Sequence, residues 1–145
     1  MKLQTARGVR DIPPEEKIVK NKVVTSLQSM FERYGFLPLE TPIIERFETL
    51  AAKGGAGTAS DALKETFTFQ DQGKRKLGLR FELTTSLARY VTQNPTLKLP
   101  FKRYEMGPVF RDGPIKLGRY RQFWQFDVDT IGTASMLADA EIVSL

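Results

Sequence analysis

The chain contains no cysteine and no histidine. The first absence rules out a disulfide and a thiolate nucleophile, the second an imidazole base, and the two together the usual Cys/His zinc site. Chemistry on this chain is left to carboxylates, arginines, lysines, hydroxyls and backbone amides, with Mg²⁺ as the cation that such oxygen ligands hold. Long apolar runs are lacking too: none approaches the ~20 residues needed to cross a bilayer. The opening MKLQTARGVRD has no apolar core of a secretion signal. A cytoplasmic protein without membrane contact is the expectation. What is present is 145 residues, about one domain's worth, with 41% hydrophobic residues and 22 Lys and Arg against 17 Asp and Glu. The net charge of +5 suits a phosphate or nucleic-acid partner, and equally a solvated surface.

Prolines, glycines and apolar periodicity set the expected elements. Pro14 suits a first helical turn, Glu15 and Glu16 complement its positive end, and Gly35 suits its stop. Between them Ile18, Val19, Val23, Val24, Leu27, Met30 and Phe31 recur at helical spacing, as a stripe expected to face the core. Residues 36–45, FLPLETPIIE, are apolar and β-branched, but Pro38 and Pro42 each remove a ladder donor. They predict an edge or interface strand broken at Pro42, followed by a short helix in RFETLAAK. GGAGTASD, Gly54 to Asp61, reads as a surface loop and not a P-loop, since no Gly-Lys-Ser/Thr follows it.

Thr66 to Phe69 and the run from Lys76 predict a hairpin, with GKRK as its solvated turn. On the return strand Arg80, Glu82 and Thr84 alternate onto one face, Leu79, Phe81 and Leu83 onto the other. TTSLARYVTQ then predicts a helix with Thr84 or Thr85 near its N-cap. The last segment, ASMLADAEIVSL, begins an amphipathic helix that reaches Leu145 without a capping signal, so a continuation is expected. No internal repeat, low-complexity tract or linker divides the chain.

The segment VFRDGPIKLGRYRQFWQFDVDTIG, Val109 to Gly132, carries the densest chemistry. It predicts a strand over Phe101 to Asp112, a turn over Gly113 to Gly118 and a second strand over Arg119 to Ile131. Alternation puts Arg119, Arg121, Phe123, Gln125, Asp127 and Asp129 on one face of the second strand. Tyr120, Gln122, Trp124, Phe126 and Val128 take the other, which should be the packed side. The polar face is either solvated with Phe123 exposed, or a nucleotide platform. In the second case guanidinium groups fork onto phosphates and an aromatic ring stacks under a base. Arg111 belongs to the neighbouring strand, and Gly107 on the same side of it would leave room for a ligand.

This hairpin resembles motif 2 of the class II aminoacyl-tRNA synthetases, and FRDGPIKLGRYRQFWQFDVD resembles the histidyl-tRNA synthetase family in particular. GVRD, Gly8 to Asp11, looks like that family's N-terminal signature, and ERYGFLPLETPIIE looks like motif 1 with Pro42 at its characteristic proline. LGLRFELTTSLARYV looks like the histidine-pocket strand and the helix after it. The resemblance spans nearly the whole chain, with four segments in the family's order. It implies an α+β fold: a class II synthetase-like antiparallel sheet flanked by helices, truncated before motif 3. Residues 1–145 would be the N-terminal portion of the catalytic domain. Motif 3, the second histidine-recognition segment and the anticodon-binding domain find no counterpart.

Carried over by position, the resemblance gives Arg111 the ATP α-phosphate and the catalytic role, Arg119 the γ-phosphate end, and Phe123 the adenine ring. Glu82 and Thr84 would hold the histidine α-ammonium, with Gln125 and Asp129 completing the substrate side. The family commonly has glutamate at the position of Asp129, and many class II members carry an acid where Gly113 stands. Pro42 would mark a homodimer interface. The implied reaction joins histidine to ATP as histidyl-adenylate and passes it to tRNA(His), with ATP and Mg²⁺ required and no covalent enzyme intermediate. A fragment of this extent is expected to be poorly active. Two rivals stand beside this reading. One is the regulatory subunit of ATP phosphoribosyltransferase, a histidine-binding synthetase paralogue that need not retain both arginines. The other is a stand-alone dimerisation or RNA-binding module.

Overall fold

The fold is described from a computed structural model for residues 3–52 and 61–145, excepting the side chains of residues 61 and 62. The loop expected at Gly54–Asp61 lies outside these residues, save Asp61. The first helix, α1 (Pro14–Arg33), starts with proline in its first turn and ends through Gly35, whose φ of 77° only glycine adopts readily. The chain continues as β1 (Leu37–Pro38), β2 (Ile44–Arg46) and α2 (Phe47–Ala51), then α3 (Asp61–Lys64), β3 (Thr68–Gln70) and β4 (Lys76–Leu79). It closes with α4 (Thr84–Gln93), β5 (Phe101–Phe110), β6 (Gln122–Ile131) and α5 (Met136–Ser144).

Two three-stranded sheets result, ordered β1-β5-β6 and β2-β4-β3. All pairings are antiparallel except β1 with β5, which is parallel and sets Leu37 opposite Arg103. The long β5–β6 ladder runs from Phe101 opposite Ile131 to Phe110 opposite Gln122. A single backbone bond, from the Phe110 amide to the Arg80 carbonyl at 3.0 Å, brings the end of β4 against the end of β5.

Residues 36–45 therefore form two short strands in different sheets, where one broken strand was expected. Pro38 sits in the edge strand β1, the place a residue without an N–H can occupy. The return strand also ends earlier than alternation suggests. Glu82 precedes α4 and Thr84 opens it, so these two do not share a strand face with Arg80.

The apolar core lies between α1 and the β5–β6 ladder: Phe31, Phe36 and Tyr104 are buried, with Leu27, Met30, Met106 and Val128 packed around them. Only the second half of the expected α1 stripe is used; Ile18, Val19 and Val23 are exposed. Of the β6 face expected to be packed, Val128 meets the core, while Tyr120 and Phe126 remain exposed. The helix α5 opens on Ser135, whose hydroxyl accepts from the Leu137 amide, and is tied down by Lys102 to Glu141 at 2.6 Å. No helix among the described residues is long and apolar enough to cross a membrane.

Candidate functional site

The odd-numbered face of β5 and β6 is polar and largely buried. Ladder register sets Arg103 opposite Asp129, Glu105 opposite Asp127, Gly107 opposite Gln125 and Val109 opposite Phe123. Buried charge needs partners, and this face supplies them. Arg80, only 3% exposed, donates to the Thr41 carbonyl at 2.8 Å, the Pro108 carbonyl at 2.9 Å and Glu105 at 3.0 Å. Glu105 in turn accepts from the amide and hydroxyl of Thr41 at 2.9 and 2.7 Å. The space beside Gly107 is thus filled by the Arg80 guanidinium, against which a Cβ would collide. The expectation that Gly107 leaves room for a ligand is corrected: it leaves room for Arg80.

Arg111, Arg119 and Phe123 do meet. With Gly118 and Tyr120 they line one cavity of ≈ 280 Å³ at the tip of the hairpin. The Arg111 guanidinium sits 4.3 Å from the Phe81 ring centre and 4.9 Å from that of Phe123, within cation–π reach of both. Its Nε donates to the Phe81 carbonyl at 3.4 Å. Arg119, half exposed, pairs with Glu65 at 3.1 Å. Arg121 serves the scaffold instead: its side chain holds Asp112 at 3.0 Å and the Gly113 carbonyl at 3.3 Å, and its amide donates to the Gly8 carbonyl. The opening GVRD segment is thereby stitched to the hairpin.

Glu65 came from no sequence signal, being 54 residues from the arginine it holds. Its carbonyl accepts from the Asp112 amide at 2.6 Å, and a Cβ on Gly113 would stand 2.7 Å from its carboxylate. An acid therefore does occupy the place next to position 113, delivered by another element.

The expected amino-acid side of the site is more dispersed. Glu82 accepts from the amides of Thr84 and Thr85 at 2.7 and 2.9 Å and from the Thr85 hydroxyl, so its carboxylate caps α4 in the role expected of Thr84 or Thr85. Burial raises the Asp127 pKa; Arg103 opposes the rise, while Asp129, Glu82 and Glu105 add to it. Gln125 donates to Asp127 at 3.4 Å and keeps a buried carbonyl oxygen without a partner.

Asp129 lies 2.9 Å from the fully buried Arg103, close enough for an ion pair but at angles too poor for a hydrogen bond. Pro42 is exposed directly after the buried Thr41, beside the exposed Ile43 and Ile44. A larger cavity of ≈ 520 Å³ lies between α2 and α4, but of the expected residues it includes only Thr84, and the one cation lining it among the described residues, Arg89, is engaged by Glu45 at 2.8 Å. Among the described residues no cluster of three His, Cys, Asp or Glu could hold a metal ion.

Comparison with known proteins follows the same lines. The family model described as histidyl-tRNA synthetase matches residues 8–145. Histidine–tRNA ligase 1 of Bacillus cereus is 49% identical over 145 residues, 100% of this chain and 34% of the relative. The crystal structure of histidyl-tRNA synthetase from Nostoc superposes with a TM-score of 0.82 at 33% identity, over 99% of this chain and 32% of that one. A Bacillus halodurans structure described as an ATP phosphoribosyltransferase regulatory subunit/histidyl-tRNA synthetase superposes with a TM-score of 0.83 at 25% identity, over 97% and 35%. The chain spans about a third of the length of the curated relatives it matches.

Proposed function

The chain belongs to the histidyl-tRNA synthetase family, and we propose that it is the nucleotide-gripping part of a histidine–tRNA ligase. The observation that carries this reading is the single cavity lined by Arg111, Arg119 and Phe123. In it Arg111 neutralises the ATP α-phosphate as the histidine carboxylate attacks, Arg119 takes the γ-phosphate end, and Phe123 stacks on adenine. Mg²⁺ enters as part of the ATP substrate. Glu82, Thr84, Gln125 and Asp129 form the histidine side, where an excess of carboxylates favours the substrate ammonium.

The pyrophosphate leaves and the adenylate passes its histidyl group to the 3′ end of tRNA(His). The catalytic work is positioning and electrostatic stabilisation of the phosphoryl transition state. Losing one such donor costs about 10²- to 10³-fold in rate. The protein acts in the cytoplasm as a homodimer, with exposed Pro42, Ile43 and Ile44 at the interface; the family's remaining parts complete the active site.

The regulatory reading keeps one observation, the likeness to the Bacillus halodurans structure. Calorimetric titration of the chain with ATP·Mg²⁺ and with L-histidine separates the two. The ligase reading predicts ATP·Mg²⁺ binding; histidine binding without ATP binding would favour the regulatory one.

A further inference from the structure

The two buried arginines of the polar ladder face are held in different ways. Arg80 bonds directly to Thr41, Pro108 and Glu105 and so ties segments together. Arg103 is fully buried, and among the described residues none of its three guanidinium nitrogens has a hydrogen-bond partner. A guanidinium carries five N–H donors, and a brace would use them. What surrounds Arg103 is charge: Asp129 at 2.9 Å and Glu105 at 3.7 Å. Glu105 already accepts from Arg80 and from Thr41, so Arg80 balances it. The Arg103 charge is left to the nearer carboxylate, Asp129, whose Oδ2 is buried against it. Asp129 is partly exposed as well, and lines a cavity of ≈ 270 Å³ between β6 and α5 with Thr130, Thr133, Ser135 and Asp139. Among the described residues no lysine or arginine lines that cavity. Asp129 thus stands between a buried cation and a polar cavity.

We propose that Arg103 is a specificity-determining residue that acts through Asp129: by cancelling the Asp129 charge from the buried side, it makes that carboxylate an acceptor for the neutral imidazole of histidine and not for a cationic side chain. The inference rests on the ligase reading, which puts the amino acid beside Asp129. A lone carboxylate favours the charged form of any base next to it. Paired with a buried guanidinium it adds no net charge, and what remains is an acceptor for an N–H. A neutral imidazole supplies that donor without a charge, whereas a cationic side chain brings a charge that is costly to desolvate. The other charged groups on this face are Arg80, Glu105 and Asp127, with Asp139 lining the cavity from α5; Glu82 adds its charge at Asp127.

The chain has no histidine of its own, so an imidazole that titrates in the complex is the ligand's. The test is calorimetric titration with L-histidine on both sides of ~6.5, the ordinary imidazole pKa, with the fold of each variant verified by circular dichroism. The original chain is expected to bind histidine more tightly above that pH than below it. In Arg103→Gln the uncancelled carboxylate favours the imidazolium, so the ratio of acid to alkaline affinity should rise at least tenfold, one unit in the ligand's bound pKa. Arg103→Lys keeps the charge and the original ratio. Asp129→Asn leaves Arg103 unpaired and should move the ratio the other way, which keeps the proposal testable if Arg103→Gln does not fold. Arg103→Gln/Asp129→Asn, neutral on both sides, should return to the original ratio. Histidine binding whose pH profile none of these variants moves would overturn the proposal and leave the ligase reading standing. A loss equal at every pH would also overturn it, since a brace gives that result. No histidine binding by the original chain at any pH would count against the amino-acid side of the ligase reading and overturn this role with it.

Discussion

Arg119 is held by Glu65 at 3.1 Å, in the mouth of the cavity where a triphosphate is proposed to bind. The two acids, side chain and nucleotide, compete for one guanidinium. Exposed pairs of this kind contribute about 0.2–1 kcal/mol, so Glu65→Gln should tighten ATP·Mg²⁺ roughly 1.5- to 5-fold by calorimetry. Weaker binding in that variant would instead make Glu65 a ligand of the nucleotide, acting from the place beside Gly113. The residues of the platform itself were legible in the sequence. Alternation grouped Arg119, Arg121 and Phe123 on one strand face; β6 starts only at Gln122, and the two arginines before it divide, Arg119 lining the cavity with Arg111 while Arg121 braces the turn. Glu65 was not legible, because its placement depends on how α3 and the following residues meet the hairpin, which no local pattern encodes.

Between elements, Arg80 joins three segments that the sequence keeps far apart. It binds Thr41 next to Pro42, the Pro108 carbonyl in β5, and Glu105 at the middle of the ladder. Removing one partner of a buried ion pair leaves the other charge uncompensated, at about 3–5 kcal/mol. Arg80→Met should therefore lower the stability of the chain by that amount in urea denaturation, more than Arg119→Met, whose pair is solvated. A loss under about 1 kcal/mol, the range of an exposed pair, would show that the lock contributes little.

The same ladder sets Asp127 directly opposite Glu105, and like charges opposite each other destabilise a sheet. The folded-state pKa of Asp127 is raised above the ordinary 3.8, mainly by burial. From 3.8 up to the raised value the folded state binds more protons than the unfolded, so this group makes stability fall as pH rises through that window. Asp127→Asn should stabilise the chain at neutral pH, with the gain shrinking as pH falls through that window and lost below 3.8. A gain that persisted unchanged in acid would assign the effect to shape and not to charge.

For the molecule as a whole, helices with capping residues and strands with clear alternation were readable. Pro14 and Gly35 bracket α1 as expected, whereas β6 begins at Gln122, three residues later than predicted, so the predicted alternation applies only from there, and of the side expected to be packed Tyr120 and Phe126 stay exposed. Three features were not readable. The parallel pairing of β1 with β5 joins segments distant in the chain, the burial of the polar ladder face depends on Arg80 arriving from beyond β4, and the exposed half of α1 depends on what lies beyond the helix. Ile18, Val19 and Val23 follow helical spacing, but periodicity reports that a face is apolar and not which body covers it. Ile43 and Ile44 are exposed in the same way, and exposed apolar side chains of this sort are what the proposed homodimer would bury.

Everything proposed for the site depends on the hairpin arginines gripping a triphosphate. The sharpest check repeats the ATP·Mg²⁺ titration on Arg111→Ala/Arg119→Ala, with its fold verified by circular dichroism. The original chain should bind, and the double variant should lose binding at least a hundredfold, about 2.7 kcal/mol or more. Equal affinity in both proteins would contradict this, and would place the nucleotide somewhere other than on Arg111, Arg119 and Phe123.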